Sequence, residues 1–181
     1  MIIESIEQAL ATLPIAQYEW FRTEDLTFSE RVRTICQTQC PRYGKSWACP
    51  PAVGTVEECR RKCLSYPNGL LIATLHEVDD SSDMVQTLAT RVPHEELTHQ
   101  VAKLLKASSA EIYALSGDSC SICDTCTFPN APCAHPEQML PCVESHGILV
   151  TELMESHGIS FQFSGNVVTW ISLILFRKED L

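Results

Sequence analysis

Ten cysteines fall into two runs of five: Cys36, Cys40, Cys49, Cys59 and Cys63, then Cys120, Cys123, Cys126, Cys133 and Cys142. The 56 residues between the runs contain none. Thiols repeated every three or four residues put several soft donors on one short stretch, as a soft metal ion or an iron–sulfur cluster requires.

The second run carries the more specific pattern. Cys120-x2-Cys123-x2-Cys126 can wrap one cubane, and bacterial ferredoxins use such a triplet with a further cysteine next to proline. Here that cysteine is Cys133, preceded by Pro132. A four-iron cluster held by Cys120, Cys123, Cys126 and Cys133 is therefore the leading expectation. Structural zinc is the alternative, but zinc favours paired C-x2-C knuckles, and a third thiol at the same step suits a mononuclear site poorly. His135 lies nearby but is read as an isolated histidine rather than a ligand.

In the first run, Cys36-x3-Cys40-x8-Cys49 is followed by Pro50-Pro51, which stiffen the chain and remove two backbone donors. Tyr43 and Trp47 would shield a site there from water. Cys59, near the start of a capped helix, is the expected fourth ligand, because the positive end of the helix dipole favours thiolate. Were Cys36, Cys40 and Cys49 the only ligands, one iron would stay open to a small molecule. Cys63 lies one helical turn beyond Cys59 and reads equally as an ordinary buried thiol.

The bulk properties narrow the partners. The chain has 181 residues and a net charge of -10, with 23 acidic against 13 basic residues. Nucleic acid and anionic membranes need concentrated Lys and Arg, so neither is an expected partner. An acidic surface suits a basic redox partner protein. The N-terminus lacks a basic stretch followed by a long apolar one, so no secretory signal is expected. The most apolar run, Val167 to Phe176, is ten residues, half of what a membrane helix needs. A cytoplasmic protein with reduced thiols follows, in which dense cysteine points to metal rather than disulfides.

The elements that must position these thiols read as one domain, 1–181. An amphipathic helix is expected over 2–13, with Ile3, Ile6, Leu10 and Leu13 on one face and Pro14 ending it. Tyr18 to Leu26 reads as a strand, and Ser29 as the N-cap of a turn running to Thr34. Residues 36–56 read as loop. Thr55 and Glu58 have capping-box spacing and open the next helix. Leu70 to Leu75 and Glu111 to Leu115 read as strands, with a helix over 93–107 between them. A helix from Ser145 to Ser156 precedes strands Ser160 to Phe163 and Val167 to Phe176, joined by a Gly165-Asn166 hairpin turn. The order predicts an α+β fold: a mixed β-sheet with helices packed on it and two cysteine-rich metal-binding loops, 36–63 and 120–142. Both loops should lie at one end of the sheet.

Several strings carry a resemblance. They are Val32-Arg33-x2-Cys36-x3-Cys40-x2-Tyr43-Gly44-Lys45-x-Trp47-x-Cys49-Pro50-Pro51, the Cys120 triplet to Pro132-Cys133-x2-Pro136, and Pro141-x2-Glu144-x2-Gly147-Ile148-x-Val150. Together they resemble a bacterial and archaeal family of predicted metal-binding proteins of unknown function. The resemblance covers nearly the whole chain and implies metal binding, with iron–sulfur chemistry in largely anaerobic organisms. Two positions depart from it: Ala134 stands where a basic residue is expected, and Cys142 where serine is. The function expected is electron transfer or redox relay through one or two 4Fe-4S clusters. An enzyme with an open iron and a zinc-stabilised interaction module are the alternatives.

Overall fold

A computed structural model describes residues 2–107 and 111–177, with side chains from Glu4 onward. It contains a sheet in the order β1 (Gln17–Arg22), β2 (Asn68–Glu77), β5 (Val167–Arg177), β3 (Glu111–Ser116), with β4 (Phe163–Ser164) also paired to β5. The helices are α1 (Ile2–Leu10), α2 (Glu30–Gln39), α3 (Val56–Leu64), α4 (Met84–Ala89), α5 (Arg91–Lys106) and α6 (Val150–Ser156). The class is α+β, as expected. The pairing differs from the mixed sheet expected: every strand pair is antiparallel. The reason is that β5 enters between β2 and β3. These two run in the same direction, but each bonds to β5 and not to the other. The parallel pairing among the described residues is a single bridge, Ser116 to Cys142.

Both faces of the sheet are covered. Leu71, Leu115, Leu173 and Leu175 face a core closed by Cys63, Val143, Ile148, Leu153 and Met154. Leu70, Ile72, Ile174 and Phe176 face Ile6 and Leu10 of α1 and Leu97, Val101 and Leu105 of α5. A strand covered on both faces has no solvent side, so β5 reads as a continuous apolar run rather than an alternating one. Ile3, expected on the same α1 face, has its side chain outside the described residues.

Local signals hold at several boundaries. The Ser29 side chain accepts from the Arg31 amide at 3.2 Å and caps α2. The Thr55–Glu58 capping box is complete at α3. Other boundaries move. The segment 36–56 is not all loop, because α2 continues through Cys36 to Gln39. The helix expected from Ser145 is split into a 3-10 turn, Glu144–His146, and α6. Between them Gly147 adopts φ 77°, where a Cβ would approach Val56 Cγ1 to 2.9 Å. Its carbonyl accepts from the Ser29 amide at 2.7 Å and ties the turn to the start of α2. The first strand ends at Arg22 rather than Leu26, and α4 is a further helix between β2 and α5.

Candidate metal centres

Helix α2 sets Cys36 one turn before Cys40, which forms the C-cap. The chain then turns back through Gly44, at φ 70°, whose amide donates to Pro50 O at 2.9 Å. That reversal carries Cys49 toward the helix end. The three thiols sense one another electrostatically. Burial, then the charge of Cys40, pushes Cys36 up, while Arg33 opposes. Burial pushes Cys49 up to about 11, against a hydrogen bond to Ser119, with Cys40, Asp118 and Cys36 adding to the rise.

A fourth thiol reaches this group from far along the chain. The Cys142 amide donates to Ala48 O at 3.0 Å, and its thiol donates to Glu144 Oε2 at 2.9 Å. Cys142 is buried, and burial, Glu144 and Cys49 hold its thiol well above the ordinary range. Its backbone is pinned from β3. His146 Nδ1 meets Cys142 O at 2.9 Å, which leaves Nε2 to accept from the Tyr113 hydroxyl at 2.7 Å.

Cys59 takes a different place. On the buried face of α3 its thiol donates to Val53 O at 3.3 Å and lies 3.9 Å from Arg33 Nη2. The groups it feels are Arg33, Lys62 and Glu58. Its neighbouring thiol is Cys63, which burial and then Cys59 push up to about 12. The structure thus sets Cys142 beside Cys49, and Cys59 beside Cys63.

Arg33 stands between these sets. It is 7% exposed and donates to Gly54 O at 2.7 Å and Ser145 O at 2.5 Å. Among the described residues it has no carboxylate at ion-pair distance. A buried guanidinium is costly unless it is hydrogen-bonded, and here Gly54 O, Ser145 O and the Cys59 thiol meet it.

The second group is built on one loop. β3 delivers Ser116 to Gly117, Asp118 and Ser119, and then to Cys120. Buried Arg91 of α5 grips this entry, bonding Asp118 Oδ2 at 2.8 Å and Ser119 O, with Glu95 3.7 Å away. Cys120, Cys123, Cys126 and Cys133 then line one small cavity with Ser46, Trp47, His135 and Met139. Burial pushes Cys120 up, against the Ile122 amide, with Glu95 and Cys133 adding. Cys126 goes the other way. Slight burial raises it, but hydrogen bonds from the Phe128 and Trp47 amides, the Ser46 side chain and the Thr127 amide win and lower it.

The segment Ser46–Cys49 joins the two groups. Ser46 reaches Cys126, and Trp47 Nε1 donates to Ala131 O at 3.1 Å. Trp47 also packs edge-on against Phe128, ring centroids 5.0 Å apart. Ala48 holds Cys142, and the Cys49 thiol donates to Ser119 Oγ at 3.1 Å, one residue before Cys120. Both groups lie beyond the Ser116 end of β3.

Among the described residues all ten cysteines are free, and no three His, Cys, Asp or Glu side chains converge on a point where one ion could sit. Spacing gave no sign of the Cys49–Cys142 meeting across 93 residues of chain, nor of Arg33 and the Tyr113–His146 pair. The one available signal for Cys142 is that it belongs to the second run of cysteines, nine residues past Cys133. No helix among the described residues is long and apolar enough to cross a membrane. Residues 19–176 match the model of a family described as predicted metal-binding protein (DUF2284). No curated protein and no solved structure matches the chain.

Proposed function

The chain belongs to this family of predicted metal-binding proteins, and we propose that it is an iron–sulfur protein with two adjoining four-iron sites that relays electrons. Cys120, Cys123, Cys126 and Cys133 would hold one cluster. Cys36, Cys40 and Cys49 would hold the other, with Cys142 in the fourth position first expected for Cys59. Bound there, the clusters would supply one-electron transfer.

The observation that carries this reading is the arrangement of the second group. Cys120, Cys123, Cys126 and Cys133 line one cavity, in the triplet-plus-one order that four-iron clusters use. A tetrahedral zinc with Zn–S bonds near 2.3 Å would draw its thiolates to about 3.8 Å from one another. A cubane holds its four ligands further apart, at its corners, and suits a triplet of thiols joined by a fourth around one cavity.

The surroundings support the same reading. Amide and hydroxyl donors on Cys126 stabilise a thiolate and tune a cluster's potential. Arg33 beside Cys36 and Cys59 would offset the negative charge of a thiolate-bound cluster in the first site. Cys142 would close that site's last position, which favours relay over catalysis at an open iron. The contacts of Ser46, Trp47 and Cys49 with the second loop keep the electron path short. A basic redox protein would be the partner, matching the acidic surface.

The test is anaerobic purification followed by metal and acid-labile sulfide analysis. Iron and sulfide in equal amounts are expected. Stoichiometric zinc without sulfide would overturn the reading and leave a structural zinc module.

A further inference from the structure

We propose that a lysine-lined groove next to the second cysteine site binds a small organic anion carrying two or more carboxylate or phosphate groups. The groove holds about 440 Å³, within the size range of small-molecule sites. The chain has five lysines, and three of them, Lys62, Lys103 and Lys106, line this one groove. His99 joins them, and Glu137 is the one acidic residue in the lining.

The clustering follows from the fold. Helix α5 buries Leu97, Val101 and Leu105 against the sheet. His99, Lys103 and Lys106 follow at steps of four and three, so they form the stripe beside that buried face. Lys62 comes from α3, on the far side of β3, and its Nζ sits 3.8 Å over the Tyr113 ring. Two helices thus aim cations into one hollow from opposite sides.

The usual role of a surface lysine is solvation, and such lysines spread out or pair with acids. These do neither. Among the described residues, none of the three has a carboxylate at ion-pair distance, in a chain with 23 acidic residues to choose from. Like charges gathered without a carboxylate between them repel unless an anion joins them. The floor is apolar, with Ile112, Ala114 and Leu140, which suits a ligand with a carbon skeleton.

The groove also leads somewhere. An adjoining hollow of about 360 Å³ shares Lys62, Tyr113, Met139 and Pro141 with it and extends to Trp47 and Cys133. A ligand anchored on the lysines would point its other end toward the second cysteine site. A concave site of this size fits a small molecule better than the face of a protein.

The experiment is calorimetric titration of the full chain, purified anaerobically, with citrate and with fructose 1,6-bisphosphate, against glucose as a neutral control. At least one anion should bind, more weakly as salt rises. The double variant Lys103→Glu/Lys106→Glu should lose about tenfold or more in affinity, and Lys62→Ala a smaller factor. Arg31→Glu, an exposed charge on α2, should bind as the unaltered chain does. Unchanged melting temperatures would show that the variants fold. The proposal is overturned if neither anion binds below about 10 mM, or if charge reversal leaves affinity intact. Binding of hexaglutamate with neither small anion would also overturn it and make the groove a protein-docking surface. No thiol lines the lysine groove itself, so a zinc-loaded protein would still bind the anions, and the two readings fail separately.

Discussion

The two cysteine groups sit side by side but are built in opposite ways. The second is one loop, Cys120 to Cys133, entered from a strand and gripped by one arginine. Its four thiols are only half-buried. The first gathers Cys36 and Cys40 from a helix end, Cys49 from a reversed loop and Cys142 from beyond the other site. Cys49 and Cys142 are buried. Charge is handled differently as well. Arg91, by the second group, faces Asp118 and Glu95, whereas Arg33, by the first, faces carbonyls and thiols. A contiguous site can balance its charges locally.

Thiol substitutions probe this contrast most strongly. Cys142→Ser should remove the metal of the first site, about half of the total, while Cys59→Ser should keep it. Iron and sulfide content measures both. The reverse outcome would restore Cys59 as the fourth ligand and undo the idea of a site completed from the second run.

The arginines come next. Arg33→Met removes a buried cation and its bonds to Gly54 and Ser145, so it should cost about 3 kcal/mol. That loss should be larger in metal-loaded than in metal-stripped protein. Arg91→Met should destabilise both forms alike, since its carboxylates are part of the chain. Paired denaturant titrations would show this, and equal effects of loading on the two variants would erase the charge distinction.

Acid should act from the core outward. Burial holds His146, behind Cys142, and His94, under the sheet, at about 4, below their ordinary 6.5. The folded state keeps both neutral, so the unfolded chain binds more protons between these values. Stability is therefore full above about 6.5 and falls as pH drops toward 4. Denaturant midpoints across this range check the sign. A rise on acidification would contradict the buried neutral histidines.

The smallest effects should come from the loop entry and the turn. Asp118→Asn weakens the grip of Arg91 on the Cys120 loop and should cost about 1 kcal/mol, because the carboxylate is partly exposed. Gly147→Ala meets a positive φ and Val56 at 2.9 Å. It should cost about 1–2 kcal/mol and disturb the first site alone, through α2. Spectra of the two sites in each variant would separate the regions, and a shared change would show that they move as one.

Residues close in sequence announced themselves. The caps at Ser29 and at Thr55 with Glu58, the apolar run of β5, the Gly165-Asn166 turn and the Cys120 triplet all rest on neighbours a few positions apart. Local sterics and hydrogen bonding act at that range, so the α+β class and the second cysteine group were legible in the sequence. The antiparallel sheet was not, because nothing local says that the last strand inserts between β2 and β3. The companionship of Cys49 with Cys142, the stranding of Arg33 among carbonyls, and the meeting of Lys62 with Lys103 and Lys106 depend on that insertion. Each joins residues distant in the chain, and only burial of the shared sheet brings them together.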